Sequence, residues 1–320
     1  MGAADTVTKA YMRGNAIFAD AFNYLIYDGR QVIKPESLKE LDTAEITLPF
    51  ADEHEEAVQK YRDILKSAIV KQDDKAAYIL LGVENQTDIH YAMPVRNMIY
   101  DALQYGKQVS EIAAKHRKAA DGGHTKGEYL SGFYKGDKIT PVITLVIHFG
   151  ADAWDGPLSI HEMTGLKDYD ILRFVPNYQI NLIDPARMNG LDLTKFETSL
   201  RTVMGYIKYS KDKDSLMAFM SGSERDTIER EAAMVIKTIT NTPIDIPEGL
   251  EEINMCEAIE AMVKDSKAEG KAEGKAEGKA EGILEVLACL VKDNVLTIRE
   301  AAARAGMTDD EFKKAMENLS

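Results

Sequence analysis

The stretch Leu80-Leu81-Gly82-Val83-Glu84-Asn85-Gln86-Thr87 constrains the chain most: an apolar run stops abruptly at Glu-x-Gln. An apolar run of this kind predicts a strand buried within a sheet. Packing does not explain a carboxylate at its end. Because side chains alternate along a strand, Glu84 and Gln86 share one face. Asp63 lies upstream in a second strand-like segment. If the two strands are neighbours, two carboxylates and an amide converge on one spot, the minimum cage for a hydrated divalent cation.

The flanking pattern supports an α/β core. Ile17, Phe18, Ala21, Phe22, Leu25 and Ile26 recur at helical spacing, which predicts a helix over residues 8–27 that ends at Asp28-Gly29. Pro35 is expected to open a short helical turn, and the acidic residues 51–60 a further helix. Asp63 to Val70 and Ala76 to Glu84 read as strands joined by a turn at Lys71–Lys75, the second strand being central. Pro94 opens a helix running to about Lys107, and residues 119–136, rich in Gly and charge, read as a loop. Residues 141–149 and 178–183 complete the strands. A helix, a hairpin, a helix and further buried strands make a mixed sheet flanked by helices. From Leu193 to Thr240 the pattern is helical throughout, and Leu250 to Lys264 reads as another helix.

The C-terminal part differs in kind. Four copies of Lys-Ala-Glu-Gly run from Lys267 to Gly282. Each Gly costs a helix about 1 kcal/mol relative to Ala, and no apolar face recurs. A weakly helical tether is expected; the stripe of Gly270, Gly274, Gly278 and Gly282 leaves close helix pairing as the other reading. Residues 283–320 form a small helical unit, with Thr297 to Thr308 reading as helix, glycine turn and N-cap, similar to a helix-turn-helix. Its second helix starts Asp309-Asp310-Glu311, which would face phosphates in a DNA reader. That favours packing or self-association, and a homo-oligomer formed through this region is expected.

Composition removes several classes. No stretch approaches the ~20 apolar residues of a membrane span, and the N-terminus lacks the regions of a signal peptide, so a cytoplasmic protein without a membrane partner is expected. Cys256 and Cys289 form no CxxC pair, which leaves no cysteine zinc site. The six histidines fall at no metal-ligand spacing; His148 reads as structural and Trp154 as a loop anchor. Neither a GxxxxGK[ST] nor a GxGxxG motif occurs. A net charge of −14 opposes general affinity for polyanions. Any nucleic-acid contact therefore needs a local basic surface, and residues 107–138 carry more Lys and Arg than Asp and Glu. A mixed-charge solvated loop is the alternative for that segment.

The chemistry suited to such a strand end is phosphodiester hydrolysis. Magnesium takes hard oxygen ligands and keeps several waters, so one or two carboxylates suffice. Asp63 and Glu84 would be those ligands, with the backbone carbonyl of Asn85 as a third oxygen, and manganese is an equivalent ion. Gln86 would orient the attacking water or a phosphate oxygen. On the following helix, Arg96, Tyr100 and Gln104 share one face at i, i+4 and i+8, with Val95, Ile99, Ala102 and Leu103 expected on the buried side. Arg binds phosphate in a bidentate manner.

Several motifs occur in one order: Phe18-Ala19-Asp20-Ala21-Phe22-Asn23, Arg62-Asp63-Ile64-Leu65, Gly82-Val83-Glu84-Asn85-Gln86-Thr87 and Met93-Pro94-Val95-Arg96 with Tyr100-Asp101 and Tyr105. Pro141 to Leu145, Trp154-Asp155-Gly156-Pro157-Leu158-Ser159, Asn181-Leu182-Ile183-Asp184-Pro185 and Asn254 to Ala258 follow. Together, over about residues 5–265, they resemble the Rpn family of recombination-promoting nucleases, often labelled putative transposases, within the PD-(D/E)XK superfamily. The resemblance implies a restriction-endonuclease-like core with a helical C-terminal extension. Domain bounds would be 1–250 for the nuclease-like part, 251–282 for a helix and linker, and 283–320 for the helical module. It further implies metal-dependent endonucleolytic cleavage of DNA in recombination, mobile elements or phage defence. Asp63 and Glu84 match the acidic ligands, and Asp20 resembles an accessory acidic position. Gln86 departs from the pattern, since many members carry Lys there. A positive charge would thereby be replaced by a dipole, leaving open a degenerate nuclease fold that acts as a DNA-binding or protein-interaction module.

Overall fold

A computed structural model describes residues 2–41, 44–47, 58–61, 63–72, 75–119, 124–221, 227–242, 244–255, 282–293 and 295–318. It contains two compact units, residues 1–255 and 256–320. Most of the Lys-Ala-Glu-Gly tract, the expected helix over 256–264 and residues 51–57 lie outside the described residues.

The first unit is mixed α/β. Five strands form its main sheet in the order β1 (Lys39–Glu40), β4 (Ile64–Gln72), β5 (Lys75–Gln86), β6 (Val142–His148) and β7 (Asn181–Ile183). β4 runs antiparallel to both β1 and β5, whereas β5–β6 and β6–β7 are parallel. β5 is thus the central strand, and its inner residues Leu81, Val83 and Glu84 are fully buried. A parallel pair needs a crossover; here it is supplied by α3 (Met93–Ala119) and the short α4 (Lys126–Ser131). Two small ribbons, β2 (Ala44–Thr47) with β3 (Val58–Tyr61) and β8 (Thr227–Glu229) with β9 (Glu252–Asn254), lie outside this sheet.

The N-terminal helix expected over 8–27 is two helices, α1 (Ala3–Met12) and α2 (Asn15–Tyr27). The break is a hydrogen-bonding site for a buried lysine. Lys66 on β4 donates from Nζ to Arg13 O and to Asn15 Oδ1, both at 2.6 Å, and lies over the Phe18 ring at 4.9 Å. A buried ammonium must be paired, and the interrupted carbonyl at Arg13 provides its partner. Burial still holds the Lys66 pKa below the ordinary lysine range. The Asp28-Gly29 stop is observed, with Asp28 at φ 55° and Gly29 at φ 87°.

Other departures share one cause, tertiary pairing overriding local pattern. Residues 58–60 are strand, not helix. The helical stretch expected over Leu193–Thr240 divides into α8 (Leu200–Tyr209), α9 (Lys213–Ser221) and α10 (Arg230–Thr240), with β8 between them. Residues 252–254 are β9, because Ile228 and Ile253 bury against each other in antiparallel register. α3 runs twelve residues beyond Lys107, to Ala119, and the loop expected over 119–136 contains α4. The buried face of α3 departs in part from expectation. Leu103 is buried as expected, but so are Met93, Asn97, Tyr100, Asp101 and Gln104, while Val95 and Ile99 are half-buried and Ala102 is exposed.

The second unit packs the helix at 282–292 (α11) with α12 (Ile298–Ala305) and α13 (Asp309–Asn318). Leu287, Ala301, Ala302 and Phe312 form its core. Thr297 and Glu300 cap α12 reciprocally, and Gly306 at φ 70° ends it. Ile283 and Val286 stay exposed. No helix among the described residues is long and apolar enough to cross a membrane.

Candidate active site

Because Ile64 pairs with Val83 in antiparallel register, Asp63 arrives at the level of Glu84 just before β4 begins. Asp63 Oδ2 accepts the Asn85 backbone N–H at 2.8 Å, which pins the carboxylate to the end of β5. Its other oxygen, Oδ1, lies 3.0 Å from Nζ of Lys9 on α1. Lys9 also reaches Asp5 Oδ2 at 3.0 Å. Burial lowers the lysine pKa, but the hydrogen bonds and charges of Asp5 and Asp63 outweigh it and leave the value raised. Lys9 is therefore held as a cation against Asp63.

Glu84 is fully buried, and its Oε2 lies 3.0 Å from Nη2 of Arg96 on α3. Arg96 in turn donates from Nε to the Tyr100 hydroxyl at 3.0 Å. Burial opposes the guanidinium charge, yet Glu84 and the Tyr100 contact raise its pKa overall. The Tyr100 phenol is pushed up by burial and then by the negative charge of Glu84, so it stays neutral. Arg96 is only partly covered, its side chain 32 % exposed. It lines a cleft of about 360 Å³ with His90, Val95, Ile99 and Tyr100. A basic group beside an inner acid thus faces an opening.

Gln86 is half-buried on the face it shares with Glu84, and its Nε2 donates to Asn85 O at 2.9 Å. The Asn85 carbonyl therefore already accepts one bond and keeps a second lone pair. The Asn85 side-chain amide is buried and makes no hydrogen bond to a described residue; by the alternation along β5 it lies on the face opposite Glu84 and Gln86. His148 is in register with Gln86 on β6, but its Nε2 lies 2.9 Å from Asp152 O and its ring meets Trp154 edge-on. Trp154 is fully buried, with Nε1 donating to Gly156 O and its backbone N–H to Asp184.

The structure thus brings Asp63, Glu84, Asn85, Gln86, Arg96 and Tyr100 together. It does not bring Asp20 to them. Asp20 is buried mid-helix, and its carboxylate accepts from Glu197 N, Thr198 N and Thr198 Oγ1, tying α2 to the start of α8. Gln104 is buried on the Tyr100 face, about 12 Å along the helix from Arg96 at 1.5 Å per residue. There it lines a different cleft with Leu80, Lys107, Lys115 and Lys138.

Two residues that sequence reading missed shape the site. Lys9 carries no motif and contributes only through the turn of α1 toward β4. Asp101 accepts Thr144 Oγ1 and Tyr178 O–H, both at 2.6 Å, and locks α3 onto β6. Its signal was present, an Asp directly after Tyr100, quoted in the family motif but given no role of its own. Among the described residues no cluster of three His, Cys, Asp or Glu side chains forms a metal cage. The available set is two carboxylates plus backbone and amide oxygens, hard donors that suit an ion retaining several waters. Scans against known protein families, curated proteins and solved structures find no match to this chain.

Proposed function

We propose that the chain is a magnesium- or manganese-dependent DNA endonuclease with a PD-(D/E)XK-type core, as its likeness to the Rpn family implies. One observation carries the reading: two acids at the ends of adjacent strands, the half-buried Asp63 and the fully buried Glu84, each face a basic side chain delivered by a covering helix. A buried acid gains little stability from an ion pair over apolar packing, so Glu84 with its arginine, beside a second acid–base pair at the same strand end, points to chemistry. Asp63, Glu84 and the Asn85 carbonyl would hold the ion. Such an ion polarises a phosphoryl oxygen and lowers the pKa of bound water.

The chain's own side chains do the rest. Arg96 has the planar fork to grip a phosphate, and its exposed edge faces the cleft. Tyr100 fixes that fork by accepting the Arg96 Nε–H. Gln86 orients a water through its amide. Lys9 provides the positive charge that Gln86 lacks, on the opposite side of Asp63, where charge developing on the phosphoryl group is stabilised.

Supercoiled plasmid incubated with the protein and magnesium tests this. Nicking that disappears in Asp63→Ala and Glu84→Ala is expected; equal nicking by wild type and variants rejects the site. The turned-in amide of Gln86 favours a second reading, a non-cleaving DNA-binding module. Calorimetric titration with magnesium separates them, since that module shows no carboxylate-dependent uptake of the ion.

A further inference from the structure

A second feature lies at the far end of α3. His116 stacks on Tyr134 with ring centroids 3.6 Å apart. Tyr134 lies 5.6 Å from the ring of His124, which lies 5.5 Å from Tyr129, both pairs stacked. The four rings make a ladder whose last rung, Tyr129, is 72 % exposed. They wall a pocket of about 480 Å³ together with Arg117 and Leu130, and Leu130 is 75 % exposed. Packing does not require a large aromatic and a leucine to stand side by side in water.

The charges around the pocket are asymmetric in availability. Its one lining acid, Glu128, and the nearby Asp137 are both engaged. Glu128 accepts from Lys135 N, Thr125 N and Thr125 Oγ1, and Asp137 accepts from Tyr134 N and contacts His116 Nε2 at 2.8 Å. The bases Lys115, Arg117, Lys118 and Lys126 are exposed and form no ion pair with a described residue. Between this pocket and Arg96 along α3 lies the cleft lined by Gln104, Lys107, Lys115 and Lys138, with Glu111 as its one acid; at 3.6 residues per turn it faces away from the side of the helix that carries Ala113, His116 and Arg117. From Arg96 to His116 the helix rises about 30 Å at 1.5 Å per residue.

We propose that the ring pocket takes an unpaired base of a DNA strand whose phosphates are held by the exposed bases around it, Arg117, Lys118 and Lys126, beyond the Asp63–Glu84 site. The inference rests on the DNA reading above and adds a substrate class: DNA with single-stranded character about 30 Å from the cleaved bond. Exposed aromatic faces capture bases without regard to sequence, while a basic groove follows the phosphates. A fully paired duplex keeps its bases stacked and offers the ladder nothing.

Fluorescence anisotropy tests this on the full-length protein in EDTA, where no cleavage occurs. The probes are a labelled single-stranded oligonucleotide and the same sequence as a blunt duplex. Tyr129→Ala should weaken single-strand binding about fivefold or more, the loss of one base–aromatic stack, and Tyr129→Phe should retain it. Duplex affinity should change less than twofold. Equal single-strand affinity of Tyr129→Ala and wild type overturns the proposal, as does an equal loss on duplex or the absence of single-strand binding by wild type. Because the assay contains no metal, a Tyr129-dependent loss stands even if the plasmid is never nicked. Conversely, nicking that depends on Glu84 with no Tyr129 effect rejects the ladder alone.

Discussion

Lys9 Nζ lies 3.0 Å from Asp63 Oδ1, so an N-terminal helix delivers a cation to the edge of the central hairpin. The placement depends on a chain of contacts. Lys66 grips the break between α1 and α2 through Arg13 O and Asn15, and Tyr11 O–H meets Ser199 Oγ at 2.9 Å. α1 is thereby fixed on both sides, and Lys9 cannot drift from Asp63 without disturbing them.

If Lys9 supplies the charge absent at Gln86, Lys9→Met should lower the plasmid-nicking rate on the order of 100-fold, the usual cost of one electrostatic contact to a transition state. Lys9→Arg should recover part of it. The pair is partly exposed, so unfolding in urea should shift by no more than ~1 kcal/mol. Unchanged nicking in Lys9→Met would remove Lys9 from the chemistry and leave it as an anchor of α1.

What the sequence revealed was the part written in single-residue periodicity. The Glu84-Asn85-Gln86 strand end, its neighbour Asp63 and the Arg96–Tyr100 spacing are local patterns, and each is found in one place. What escaped were relations between distant segments. Lys9 and Asp63 meet only because Gly14 breaks a helix that periodicity reads as continuous. The buried face of α3 was misread because Asn97, Asp101 and Gln104 are polar yet covered, Asp101 by Thr144 and Tyr178. β8 and β9 pair across 22 intervening residues (230–251), with one buried isoleucine each as signal.

Asp20 separates an accessory catalytic role from a structural one. Its carboxylate takes two backbone N–H groups and a hydroxyl at the entry to α8. Asp20→Ala leaves those buried donors unpartnered, which costs about 3 kcal/mol at 1–3 kcal/mol per group with partial relief by water. Urea unfolding should show that loss. Nicking per folded molecule should stay within about twofold, far short of the ten- to thousandfold effects of removing a group from the chemistry. A variant of normal stability with abolished nicking would return Asp20 to the site.

Glu128 governs the pH behaviour of the segment that presents Tyr129. The backbone N–H of Lys135, then the N–H and hydroxyl of Thr125, pull its pKa from 4.5 to about 2. A carboxylate whose folded pKa is depressed adds stability that is complete above its unfolded value. That stability fades as pH falls from 4.5 toward about 2. A carboxyl-detected NMR titration should therefore find Glu128 ionised well below pH 4.5, and Thr125→Val should move its midpoint upward by removing one of the three donors. Above pH 4.5, Glu128→Gln should weaken hydrogen-exchange protection in α4, because a neutral amide accepts the same N–H groups less strongly. That difference should shrink as the wild-type carboxylate protonates. A midpoint at the ordinary glutamate value would show that the Thr125–Glu128 cap does not hold in solution, and with it the placement of Tyr129.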